Sequence, residues 1–194
     1  MNYTPREAFE TSALILLSAL LFITFFHVND WVFASLEYRQ GVNWVFLPAG
    51  FRVILVMVMG IPASVGIMLG TWFIDRAAFD TTHYTVTLFN GVASGFTPWV
   101  VMKALVHCKK FGPQLQKLSS AQLLNFTLIY AASNALVHQL GWWWMDHARV
   151  NPLVDIWPMF IGDMVGALIM LYAFKGLLSM RKAPAALHSK SDGF

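Results

Sequence analysis

Apolar residues in this chain fall into six runs, most of them close to the roughly 20 residues that a helix needs to cross a hydrocarbon core of about 30 Å. The runs extend from about Ala8 to Ala34, Trp44 to Gly60, Ile61 to Phe73, Tyr84 to Leu105, Ala121 to Met145 and Ile156 to Met180. Within a bilayer every backbone polar group needs a partner in its own segment, so such runs predict α-helices and exclude an open sheet. Composition agrees: with 57% hydrophobic and 12% charged residues, a 194-residue chain has too little polar surface for a water-soluble domain. The expected fold is an all-α integral membrane protein of about six transmembrane helices in one bundle. No Pro-, Ser- or Gly-rich linker divides it, so residues 1–180 form a single domain and 181–194 a short tail expected to be disordered.

The first run is read as a retained helix, because Glu7 and Glu10 flank Arg6, the apolar stretch is long and no A-x-A cleavage site follows. Pro48 cannot complete helical hydrogen bonding inside a helix, so the start of the second run is expected to be irregular or re-entrant and buried in protein. The third run follows with almost no loop, which predicts a helical hairpin. Trp142, Trp143 and Trp144 at the end of the fifth read as an interfacial aromatic belt. Basic residues set the orientation. With the N-terminus cytoplasmic, Arg6, Lys103, Lys109, Lys110, Lys117, Lys175, Arg181, Lys182 and Lys190 fall inside, against Arg39, Arg76 and Arg149 outside. Both termini are therefore expected in the cytoplasm of a bacterial cell, with the protein multi-pass in the inner membrane. The same distribution argues against nucleic acid as a partner.

Two charges lie deep in apolar runs: Arg52 in the second and Asp163 in the sixth. Counted as helix from the outer ends, both sit roughly 12–14 Å down, which predicts a buried ion pair. Asn90, Asn134 and His138 fall at similar depth, and the four-residue spacing of Asn134 and His138 puts them on one helical face. The bland reading of these five residues is a structural network that glues helices together. The functional reading is an outward-facing pocket for a small polar or charged ligand. Gly66 with Gly70, Gly91 with Gly95, and Gly162 with Gly166 have the spacing that lets helices approach closely, and ordinary packing is the expected use.

Catalytic and metal chemistry find little footing. His27, His83, His138 and His147, with Asp30, Asp80 and Asp146, lie toward the outer side, but their spacings match no metal motif. No GxSxG or HExxH element or phosphate-cradling glycine loop occurs, and the single Cys108 excludes an internal disulfide. No enzymatic activity, no metal and no identified cofactor are expected.

The segments NWVFLPAGFR at Asn43 to Arg52, LFNGVASG at Leu88 to Gly95 and WPMFIGDMVG at Trp157 to Gly166 resemble the MASE1 integral membrane sensory domain. The matched positions are Pro48, Gly50, Asn90, Trp157, Gly162, Asp163 and Gly166, within a resemblance that spans about Asn43 to Leu178. It implies a signal-input module of the kind found in bacterial histidine kinases and diguanylate cyclases. The chain departs from that family in having about six helices rather than about eight, and in carrying no output domain within its 194 residues.

The leading expectation is thus a non-enzymatic sensory or ligand-binding membrane module that acts through a partner protein. A substrate-binding subunit of a small-molecule transporter is the second. A structural or accessory subunit of a larger membrane complex is the third.

Overall fold

A computed structural model of the chain describes residues 4–39, 42–80, 84–108, 119–145 and 151–180. The fold is all-α apart from one small ribbon. Helix α1 (Pro5–Phe33) starts at a capping box, in which Thr4 accepts from the Glu7 backbone and Glu7 accepts from that of Thr4, with Pro5 in the first turn. After a 3₁₀ turn come strands β1 (Glu37–Arg39) and β2 (Val42–Asn43), antiparallel with Glu37 opposite Asn43 and Arg39 opposite Val42. The chain then bends at Trp44 and Val45 and enters α2 (Leu47–Met59) after Phe46. Gly60, at φ +67°, reverses it directly into α3 (Ile61–Ile74), a backbone conformation that glycine adopts without Cβ strain. This is the expected hairpin. A 3₁₀ turn (Arg76–Asp80) precedes α4 (Tyr84–His107), followed by α5 (Ser120–Met145), which Ser119 and Gln122 cap reciprocally, and α6 (Pro152–Met180).

The helices close a ring in the order α1, α3, α4, α5, α6, α2, and α2 also touches α3 and α4 from within. Small residues set these approaches. A Cβ on Gly66 would lie 2.0 Å from Ser18 Oγ of α1, one on Gly95 2.4 Å from the Ser64 carbonyl of α3, and one on Gly141 2.2 Å from the Phe89 ring of α4. The glycine pairs are thus filled within the chain, as packing requires. The main core joins Ala49, Val53 and Ile54 of α2 to Val101, Leu123, Phe126, Tyr130 and Leu171.

Two helical stretches, Pro5–Leu36 and Pro152–Leu177, are long and apolar enough to cross a membrane; Leu47–Met59 and Ile61–Ile74 are apolar but shorter. Among the described residues the six-helix count of the sequence is met. The second run, however, does not begin as a helix at Trp44. Trp44 and Val45 form a bend, α2 starts at Leu47, and Pro48 enters it in the first turn, where its missing N–H is no loss.

Candidate functional site

The segment that leads into α2 rests on α6. A Cβ on Gly162 would fall 1.8 Å from the Asn43 carbonyl oxygen, one on Gly166 2.0 Å from that of Phe46, and one on Gly50 2.6 Å from Met170 Cβ. Phe46 N–H donates to the Gly162 carbonyl at 3.1 Å. Residues 43–50 therefore descend alongside 162–170. At the other side of the same junction, Asn29 of α1, fully buried, accepts from Leu47 N–H at 2.9 Å and caps α2 from outside its own sequence. Nothing in the local sequence marks Asn29 for this, since a cap supplied by another helix has no fixed spacing.

The structure corrects the expected ion pair: among the described residues Arg52 and Asp163 form none. Asp163 is instead bound by Asn134, whose Nδ2 donates to Oδ2 at 2.5 Å. The Arg52 guanidinium, 3% exposed, lies 5.8 Å from the ring centre of Phe22 and 5.2 Å from that of Phe46, in no ion pair with Asp163. The two charges still act on one another electrostatically.

Helix α5 carries the polar side of the site as a stripe of every fourth residue: Tyr130, Asn134, His138, Trp142. Tyr130 and Asn134 are fully buried, and Tyr130 feels both Arg52 and Asp163. His138 Nδ1 donates to the Asn134 backbone carbonyl at 3.0 Å, which leaves Nε2 to accept from Ser94 Oγ at 3.5 Å. Its ring meets Trp142 edge-on at 5.5 Å and Phe89 at 6.0 Å. Trp142 Nε1 donates to Asn90 Oδ1 at 2.6 Å, and Asn90 Nδ2 reaches Asp75 Oδ2 at 3.5 Å. Asn90 thus belongs to the end layer with Trp142 and Asp75, while Arg52, Asn134, His138 and Asp163 share the interior. The spacing had shown Asn134 and His138. The same period extended one step each way finds Tyr130 and Trp142.

Several interior groups have no hydrogen-bond partner: Arg52 Nε and Nη1, the Tyr130 hydroxyl and the Asn134 Oδ1 carbonyl. Such groups cost free energy in a dry interior, roughly 1–3 kcal/mol each and more for a charge. The arrangement supplies hydrogen-bond donors from Arg52 and Tyr130 and, one turn of α5 from Tyr130, acceptors from Asn134 and the Asp163 it binds.

Above the site, the ribbon is fastened to α6 by an ion pair from Arg39 to Asp155, whose carboxylate also accepts from Asn151 N–H at 2.9 Å. Gln139 Nε2 donates to the Asp155 carbonyl at 3.3 Å. The aromatic triplet divides: Trp144 is 81% exposed, whereas Trp142 turns inward to Asn90. Trp157 stands on the outer face of α6. His27 lies on α1, away from His138, and His83, Asp146, His147 and Arg149 fall outside the described residues.

The fold and site define an all-α bundle with two helices long and apolar enough to cross a membrane and a charged, polar interior. No family model matches the chain, and searches of characterised proteins and of solved structures also give no match.

Proposed function

We propose that the chain is a non-enzymatic, multi-pass protein of a bacterial inner membrane that binds a small polar ligand between α2, α5 and α6 and signals through a partner protein. The observation that carries the reading is Arg52, a buried cation with two nitrogens unpartnered, in an interior where the Tyr130 hydroxyl and the Asn134 amide oxygen are unpartnered too. Buried ionisable groups in a membrane segment default to function, and a purely structural network satisfies its own members.

The distribution of residues supports the bilayer. Asn29, Arg52, Asn134, Gln139 and Asp163 are buried, while Phe9, Leu16, Trp31, Val58, Leu140, Leu153 and Leu177 are more than half exposed. Helices α4 and α5, with 24 and 26 residues, run about 36 and 39 Å and support crossings of their own, whereas α2 and α3, with 13 and 14 residues, reach only about 20 and 21 Å. On this reading both termini are cytoplasmic, the ribbon faces outward, and the likeness to the MASE1 sensory domain concerns the junction where Pro48 and Gly50 meet Gly162 and Gly166.

Accessibility tests the reading. In a Cys108→Ser background, His138→Cys should react with a membrane-impermeant maleimide added outside right-side-out vesicles, and not when the reagent is confined inside. Labelling only by a lipid-soluble maleimide would overturn it.

A further inference from the structure

Among the unpartnered groups of the interior, those of Arg52, Tyr130 and Asn134 are of two kinds, which together specify a ligand class. The donors are the N–H groups of a guanidinium and a phenolic hydroxyl, Arg52 and Tyr130, 3% and 0% exposed. One turn of α5 from Tyr130 is an acceptor pair, the free Asn134 Oδ1 and the Asp163 carboxylate whose Oδ2 Asn134 already binds. A simple anion would meet Arg52 but also the like charge of Asp163, and a simple cation would meet the reverse. A molecule that carries both a carboxylate and an ammonium a few ångströms apart satisfies donors and acceptors together and leaves the net charge of the interior unchanged.

We propose that this site receives a small zwitterion of the α-amino acid class, its carboxylate directed inward to Arg52 and Tyr130 and its ammonium outward to Asn134 and Asp163. The inference rests on the ligand-binding reading above and deepens it. Two features beyond the orphan atoms fit it. Arg52 is placed against the rings of Phe22 and Phe46, which hold its guanidinium plane without using its N–H groups. Asn134 is turned so that its amide nitrogen binds Asp163 while its oxygen is left to accept, which makes the amide and the carboxylate a joint receptor for N–H donors.

The test uses the full chain purified in detergent, with thermal unfolding followed in the presence of glycine and each of the nineteen common L-amino acids, and of acetate and methylammonium as the two separate halves. At least one amino acid should raise the melting temperature saturably, while acetate and methylammonium at equal concentration should not. Tyr130→Phe, which removes only the unpartnered hydroxyl, should keep the fold and weaken the response about tenfold or more. Asn134→Asp, which retains the acceptor oxygens, should keep more of the response than Asn134→Leu. If acetate stabilises as well as any amino acid and the effect requires Arg52, the ligand class is wrong while the binding site stands. If no amino acid and neither half shifts unfolding, the zwitterion proposal falls, and the cysteine-accessibility result then decides whether an outward-facing pocket exists for another ligand. A response unchanged in Tyr130→Phe and Asn134→Leu would also overturn the assignment.

Discussion

Replacing Gly162 with alanine puts the packing of α6 to its most direct test. The added Cβ would sit 1.8 Å from the Asn43 carbonyl oxygen and 3.0 Å from its carbon, both backbone atoms of a segment held at its other end by the Asn29 cap. A flexible side chain would swing aside; a backbone in that position has to move as a unit. Overpacking costs about 1–3 kcal/mol. Separation of the two backbones also strains the bond from Phe46 N–H to the Gly162 carbonyl, and a donor left unpaired in a dry interior adds about 1–3 kcal/mol. Alanine's better helix propensity returns about 1 kcal/mol, so the net loss is centred near 3 kcal/mol. Gly176→Ala is the matched control on the same helix, because its Cβ would meet nothing within 4 Å and the exchange should be neutral or stabilising by up to about 1 kcal/mol. Unfolding by SDS in mixed micelles, followed by far-ultraviolet circular dichroism, reads both. Equal stability of Gly162→Ala and Gly176→Ala would refute the close contact between 43–47 and α6.

Three further outcomes are expected. Asn29→Leu removes the cap on α2 and should cost about 1–2 kcal/mol in the same unfolding assay, despite lying in another helix. Asp163→Asn and Arg52→Gln should each lower folded yield, since either leaves the other charge buried without its opposite, while the double neutral variant should recover much of it. At the end layer, burial holds the Asp75 carboxyl above its ordinary range, an effect that the Asn90 amide partly offsets. The folded state therefore binds that proton more tightly than the unfolded chain: the carboxylate costs stability above the folded pKa, and the cost disappears as pH falls toward the ordinary carboxylate value. Stability should rise as pH is lowered from 7 toward 4, and Asp75→Asn should flatten that rise; an identical pH profile in the variant would contradict it.

The helices were legible because their signals are local. Apolar runs and the near-absence of a loop at Gly60 place every boundary within a few residues of expectation. The surroundings of Arg52 were not, because the path of Trp44 to Phe46 into α2 is fixed by contact with α6 more than a hundred residues later. Arg52 and Asp163 consequently take two separate sets of contacts in place of the expected ion pair. The stripe on α5 lay in plain view at a spacing of four, but Tyr130 and Trp142 pass for ordinary core and belt aromatics until Arg52 and Asn90 are seen beside them.

The contact of residues 43–46 with α6 also bears on how the protein is made. During synthesis, residues 43–46 and α2 are complete long before α6 exists, yet the Phe46 N–H finds its acceptor only at Gly162. Until the last helix arrives, that backbone has no surface to lie on and α2 is too short to cross a bilayer by itself. Assembly is therefore gated by its final element. A nascent chain arrested after α5 should hold the α2–α3 hairpin shallow and open to protease at Trp44 to Phe46, and release of α6 should draw it in.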